Sequence, residues 1–153
     1  MRRTVKVEGL KEIREVLMNL RTAAAQRRVQ REALRAGGEV FAEEARKRAP
    51  RDTGLLARRI FVTSNLSTRQ RRAHRRGSFA PVEMHVGPFP APRAVTQEFG
   101  TSFHPPQPYM RPAWDLKLGA AVGAIVQALQ DQIMAEALKE ERRAARRARR
   151  GRR

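Results

Sequence analysis

The chain has 153 residues and carries 33 Lys and Arg against 15 Asp and Glu, a formal net charge of +18. Without cysteine it can form neither a disulfide nor a thiolate metal site, and no apolar run approaches the ~20 residues of a membrane-spanning helix. Aromatic residues are only 5% of the chain, so a lone subunit has a thin core, and part of its apolar surface is expected to be covered by other subunits.

The opening "MRRTVKVEGLKEI" has no hydrophobic signal core and passes directly into an amphipathic pattern. That predicts a protein made and used inside a cell. Leu10, Ile13, Leu17 and Leu20 recur at steps of three and four, the spacing of one apolar helix face. A second helix is expected from about Ala23 to Arg48, with Ala25, Val29, Ala33, Ala36 and Val40 as a narrow stripe. Gly37 and Gly38 each weaken a helix by roughly 1 kcal/mol relative to alanine, which predicts a bend or a close helix contact there. Pro50 ends the helix, because the residue before a proline avoids the helical region.

"RRIFVTSN" contains Ile60, Val62 and Thr63 and reads as a strand. "APVEMHVGP" alternates Val82, Met84 and Val86 with Glu83 and His85, the pattern of a half-buried strand. The basic segment between them, residues 67–79, is too long for a tight hairpin. "AVTQEFG" reads as a shorter third strand near an edge. From Pro112 the chain turns helical, with Trp114, Leu118, Val122, Ile125, Leu129 and Ile133 on one face. This order predicts an α+β fold: a small antiparallel sheet of three to four strands packed by two N-terminal helices and one long C-terminal helix. Residues 1–138 are expected to form one domain, and residues 139–153 an arginine-rich tail.

Candidate chemistry is sparse. Asp52-Thr53-Gly54 is the signature tripeptide of aspartic proteases, but such a site follows an apolar strand, and here "ARKRAPR" precedes it. A connector between helix and strand explains it better: Pro50 stops the helix, Asp52 or Thr53 caps local amides, and Gly54 gives a permissive backbone. His74, His85 and His104 are scattered without helical metal-pair spacing, so no metal site and no cofactor are expected. The arginines gather in two places. Arg69, Arg71, Arg72, Arg75 and Arg76 lie in the central segment, and Arg142, Arg143, Arg146 and Arg147 in the tail. Such runs attract DNA phosphates or an acidic protein surface without reading sequence, and they lack the interleaved aromatics that stack bases.

The most unusual stretch is "EFGTSFHPPQPYMRPAWD", which holds the only Tyr and the only Trp. Its prolines stiffen an extended run, Gly100 permits a turn, and Phe99, Phe103, Tyr109 and Met110 stand as apolar anchors. Pro112 suits the first turn of the last helix. This is the composition of a segment that packs against a neighbouring surface rather than one that carries a reaction.

Three segments in order, "VEGLKEIREVLMNL", "APRDTGLLARRI" and "QEFGTSFHPPQPYMRPAWD", make the chain resemble the tail-completion, or head–tail joining, family of long-tailed bacteriophages and gene-transfer particles. The resemblance spans residues 7–115. It implies a non-enzymatic virion protein of the neck, made in the host cytoplasm. Such proteins form a ring, usually taken as sixfold, between the tail tube with its terminator and the head connector or stopper proteins, and DNA passes through the lumen. Glu98, Phe99, Gly100, Thr101, Pro108, Tyr109, Met110, Arg111 and Pro112 are then the residues expected at ring or partner contacts. A general nucleic-acid-binding protein and an Asp52 peptidase are the competing readings.

Overall fold

The structure is a computed structural model that describes Arg14, Met18 and residues 22–74, 82–89 and 93–150. Thr22 opens the first long helix, its hydroxyl accepting from the amide of Ala25 at 3.2 Å. This helix, α1 (Ala23–Arg48), closes at Ala49 ahead of Pro50, with Arg46, Lys47 and Arg48 in its last turn. Basic residues there complement the partial negative charge of a helix C-terminus. The helix expected on Leu10, Ile13, Leu17 and Leu20 falls outside the described residues. Arg14 and Met18 between them are helical.

A single turn, α2 (Leu55–Arg58), leads into β1 (Ile60–Thr63), and α3 (Thr68–His74) follows. Then come β2 (His85–Pro88), the short helix α4 (Ala94–Phe99) and α5 (Met110–Arg150). β1 and β2 pair antiparallel, Ile60 opposite Pro88 and Thr63 opposite His85. Phe89 donates to the carbonyl of Arg59 at 2.8 Å. The alternation of antiparallel ladders then makes Ile60–Pro88 a pair that exchanges no hydrogen bonds, so the missing N–H of Pro88 costs nothing. The Ile60 carbonyl is instead satisfied by Arg46 of α1, through Nε at 3.0 Å and Nη2 at 2.8 Å.

The α+β class holds, and among the described residues the sheet has two strands rather than three or four. The expected third strand is α4. Ala94 and Glu98 are buried and Gln97 is half-buried, while Val95, Thr96 and Phe99 are exposed. That is a helical period, and Gln97 N–Arg93 O (3.0 Å) and Gly100 N–Thr96 O (2.8 Å) bonds close the turns. The β-branched Val95 and Thr96 mislead in so short a run, because packing of Ala94 and Glu98 outweighs local propensity. The second strand also starts later than its alternation implies: Val82, Glu83 and Met84 precede the ladder. Residues 68–74, expected as part of a loop, form α3.

α1 packs along α5 on one side and over the sheet on another, and its two glycines serve one side each. A Cβ on Gly37 would lie 2.7 Å from Cδ1 of Ile125 and 2.8 Å from the carbonyl of Ala121, both on α5. A Cβ on Gly38 would lie 2.8 Å from Cγ1 of Val62 and 3.3 Å from Cγ2 of Val86. The close helix contact expected here is met at Gly37, whereas Gly38 packs against the sheet instead. Below them the core gathers Phe41, Ala42, Ala45, Ala49, Ile60, Tyr109 and Ala113. Small residues dominate it, so the elements approach closely but bury little apolar area each.

Candidate functional site

The site is built where α4 meets the start of α5. A helix leaves its first amides without intrahelical partners, and no Ser, Thr, Asp or Asn stands immediately before Met110 to cap it. Glu98, at the end of α4, does so from a distance. Its Oε2 accepts from the amides of Tyr109 (2.8 Å) and Met110 (3.0 Å), and Oε1 from that of Arg111 (3.1 Å). The next residue, Pro112, has no amide hydrogen to satisfy. One carboxylate and one proline thus account for the whole helix start.

Arg111 folds back over the same carboxylate. Its Nε donates to Glu98 Oε1 at 3.1 Å, its Nη2 to the Glu98 carbonyl at 2.9 Å, and its guanidinium carbon lies 4.8 Å from the Phe99 ring centroid. Burial pushes the Glu98 carboxyl up, but the bonds from Met110, Tyr109 and Arg111 outweigh it, and the group ends below its ordinary 4.5. Tyr109 is pushed the other way, up to about 12, by its burial and by the charge of Glu98.

The chain between the two helices is pinned as well. Gly100 takes φ +77°, and a Cβ there would lie 2.9 Å from the His104 carbonyl and 2.9 Å from the nitrogen of Pro106. Thr101 donates to the His104 carbonyl at 2.8 Å, and Gln107 to that of Gln97 at 2.8 Å. The Gln97 and Gln107 side chains also join at 2.6 Å.

The residues expected at partner contacts therefore divide into two groups. Tyr109 is 1% exposed and Glu98 5%, so both act inside the chain. Phe99 (62%) and Phe103 (99%) lie bare on the outside; Thr101, Pro108 and Arg111 are exposed, and Gly100, Met110 and Pro112 half-buried. Phe99, Val95, Phe89, Pro88 and Met110 line a groove of about 650 Å³ between β2 and the clamp. Sequence reasoning missed Glu98 as a cap because the amides it serves lie 11 to 13 residues away, beyond any local capping pattern. The signal was the proline-led helix start with no local cap.

Arg71 and Arg72 on α3 are exposed, as are Arg142, Arg143, Arg146 and Arg147 on α5, which runs as a helix to Arg150. Arg75, Arg76 and the side chain of Arg69 lie outside the described residues. Around Asp52 the connector forms as expected: Thr53 Oγ1 accepts from the Leu55 amide at 3.4 Å, and Gly54 takes φ +68°. Asp52 is exposed, and it is the sole carboxylate among the described residues lining its groove.

The structure brings together three side chains that looked scattered. His74 Nε2 bonds to the Glu83 carboxylate, and the His74 and His85 rings meet edge to face with centroids 4.9 Å apart.

Compared with known proteins, residues 11–100 match the family model described as "Bacteriophage HK97-gp10, putative tail-component". No curated protein and no solved structure shows significant similarity to the chain.

Proposed function

This chain belongs to the HK97-gp10-like family of phage tail components, and from that premise we propose that it is a structural protein of the virion neck. It forms a ring, sixfold in our reading, that completes the tail and joins it to the head connector, with DNA passing through the lumen. Its neighbours are the tail terminator or tube on one side and the connector or stopper proteins on the other.

One observation carries this reading. The Glu98–Arg111 clamp fixes a strip that leaves Val95, Phe99 and Phe103 exposed, with Val95 and Phe99 lining the groove beside β2. Exposed aromatic anchors on a rigid, hydrogen-bonded base lose little conformational freedom on docking. A subunit with so small a core gains stability from such contacts. The proposed roles then separate: Phe99, Thr101, Pro108 and Arg111 meet the neighbour, while Glu98, Gly100, Tyr109, Met110 and Pro112 hold the strip in shape. The exposed arginines of α3 and the end of α5 face passing DNA or an acidic partner, and residues 139–153 act as a tail distinct in role. No reaction is assigned to the chain. Asp52 stands exposed in the turn between α1 and α2, not behind the apolar strand that buries an aspartic-protease carboxylate.

The test is electron microscopy of particles assembled without this protein. Separate filled heads and finished tails are the expected outcome, and normal joined, infectious particles would end the proposal.

A further inference from the structure

We propose that His74, Glu83 and His85 form a binding site for one divalent transition-metal ion, with zinc the best chemical fit. One donor atom from each residue lies within 4.8 Å of the others. Two imidazole nitrogens and a carboxylate oxygen are a donor set that zinc accepts, with bonds of about 2.0–2.2 Å. A tetrahedral ion with such bonds holds its donors ~3.3 Å apart, so side-chain rotations that close the widest gap by up to ~1.5 Å complete the set. His74 and Glu83 have closed already, since they share a hydrogen bond.

The elements place these donors for reasons of their own. His74 is the last residue of α3, and His85 is the first of β2, held in the ladder opposite Thr63. Glu83 precedes His85 by two, which puts both side chains on one side of an extended chain. All three are half-buried, and they line a depression of about 420 Å³ that also includes Ser64, Asn65 and Leu66. That leaves room for a water in a fourth position, as an open zinc site requires. Arg71 lines the same depression, and its Nη2 donates to the Leu66 carbonyl at 3.2 Å. Its charge weakens the site relative to a sealed structural one, while the Glu83 carboxylate offsets it. Bound metal would fasten the end of the basic helix to the sheet, fixing where α3 presents its arginines.

The competing explanation is a plain hydrogen-bonded tether between His74 and Glu83. The sequence makes the two separable, because the chain has no Cys and only one other His, His104. Zinc chloride is titrated calorimetrically into the purified full chain, and cobalt(II) uptake is followed by its visible absorption. One equivalent of zinc, and a cobalt spectrum of a low-coordinate nitrogen–oxygen site, are expected. His74→Ala and His85→Ala should each weaken zinc binding by more than the roughly tenfold cost of losing an outer partner. Glu83→Gln should weaken it and His104→Ala should not, with circular dichroism of each variant matching the parent. No uptake by the parent chain, or equal uptake by a folded His74→Ala/His85→Ala double variant, would leave only the tether and overturn the proposal.

Discussion

The two ends of α5 handle charge in opposite ways. At its start a single carboxylate, Glu98, is buried and satisfied by three amides and a guanidinium. Toward its end Arg142, Arg143, Arg146 and Arg147 all stand exposed. A buried charge with every partner in place becomes part of the framework, and removing it strands those partners. Exposed charges add little to stability but create a field that reaches other molecules. Between the two ends, Glu136 marks the transition: a buried carboxylate bonded to Arg28 of α1 and, at 3.0 Å, to Lys139. The near end of the helix is thus tied into the folded framework, while the far end leaves its charge in solvent.

The largest effect expected from breaking this contrast is at Glu98. Glu98→Ala should cost about 3 kcal/mol in urea unfolding, since three helix-start amides lose their acceptor together. A loss near that of an ordinary surface substitution would show that the clamp is ornamental. The same residue sets an acid limb. Its carboxyl titrates lower in the folded chain than its ordinary 4.5, so the unfolded chain takes up the proton first as pH falls. Its contribution is complete above the ordinary value and disappears as pH drops through the folded one. The acid limb should therefore flatten in Glu98→Gln.

At the alkaline side, the only tyrosine gives a direct optical readout of the same clamp. Tyr109 should form phenolate near pH 12 instead of 10, and earlier in Glu98→Gln, because one of the two causes of the shift is removed. The unfolded chain releases this proton first, so stability should fall as pH rises between those values.

Next in size is the helix crossing. Gly37→Ala should destabilise by about 1–3 kcal/mol, the usual range for an overpacked core position, because the Ala121 carbonyl, unlike a side-chain end, cannot swing away. Gly38→Ala meets only the side chains of Val62 and Val86 at close range, so it should cost less, and the reverse order would contradict the described packing. The smallest stability change belongs to the far end of α5. Replacing Arg142, Arg143, Arg146 and Arg147 with Gln should move unfolding by no more than about 0.5 kcal/mol per residue. The same change should reduce the salt dependence of DNA binding by up to ~0.9 in log–log slope for every phosphate that is no longer neutralised. An unchanged slope would exclude DNA as a partner of this end.

Much of the fold was legible in the sequence because it rests on local rules. Periodic apolar positions and Pro50 marked α1, β-branched residues marked β1, and the Asp52-Thr53-Gly54 connector formed as its turn chemistry requires. The errors fell where a local preference met a tertiary demand. Val95 and Thr96 argued for a strand, yet α4 is helical so that Ala94 and Glu98 can both face inward. In the candidate site, the residues of the "EFGTSFHPPQPYMRP" strip were visible as a group, but their division of labour was not. A buried tyrosine and an exposed phenylalanine look alike in a string of letters.

Sequence alone determined the class of elements, the concentration of arginine at two places and the family to which the chain belongs, since each follows from neighbours along the backbone or from an ordered motif. Only the tertiary structure decided that Glu98 caps a helix starting eleven or more residues later, that Gly37 and Gly38 serve different surfaces, and that His74, Glu83 and His85 meet. Those facts depend on which elements approach one another. The approach is set by burial summed over the whole chain, a quantity no local pattern contains.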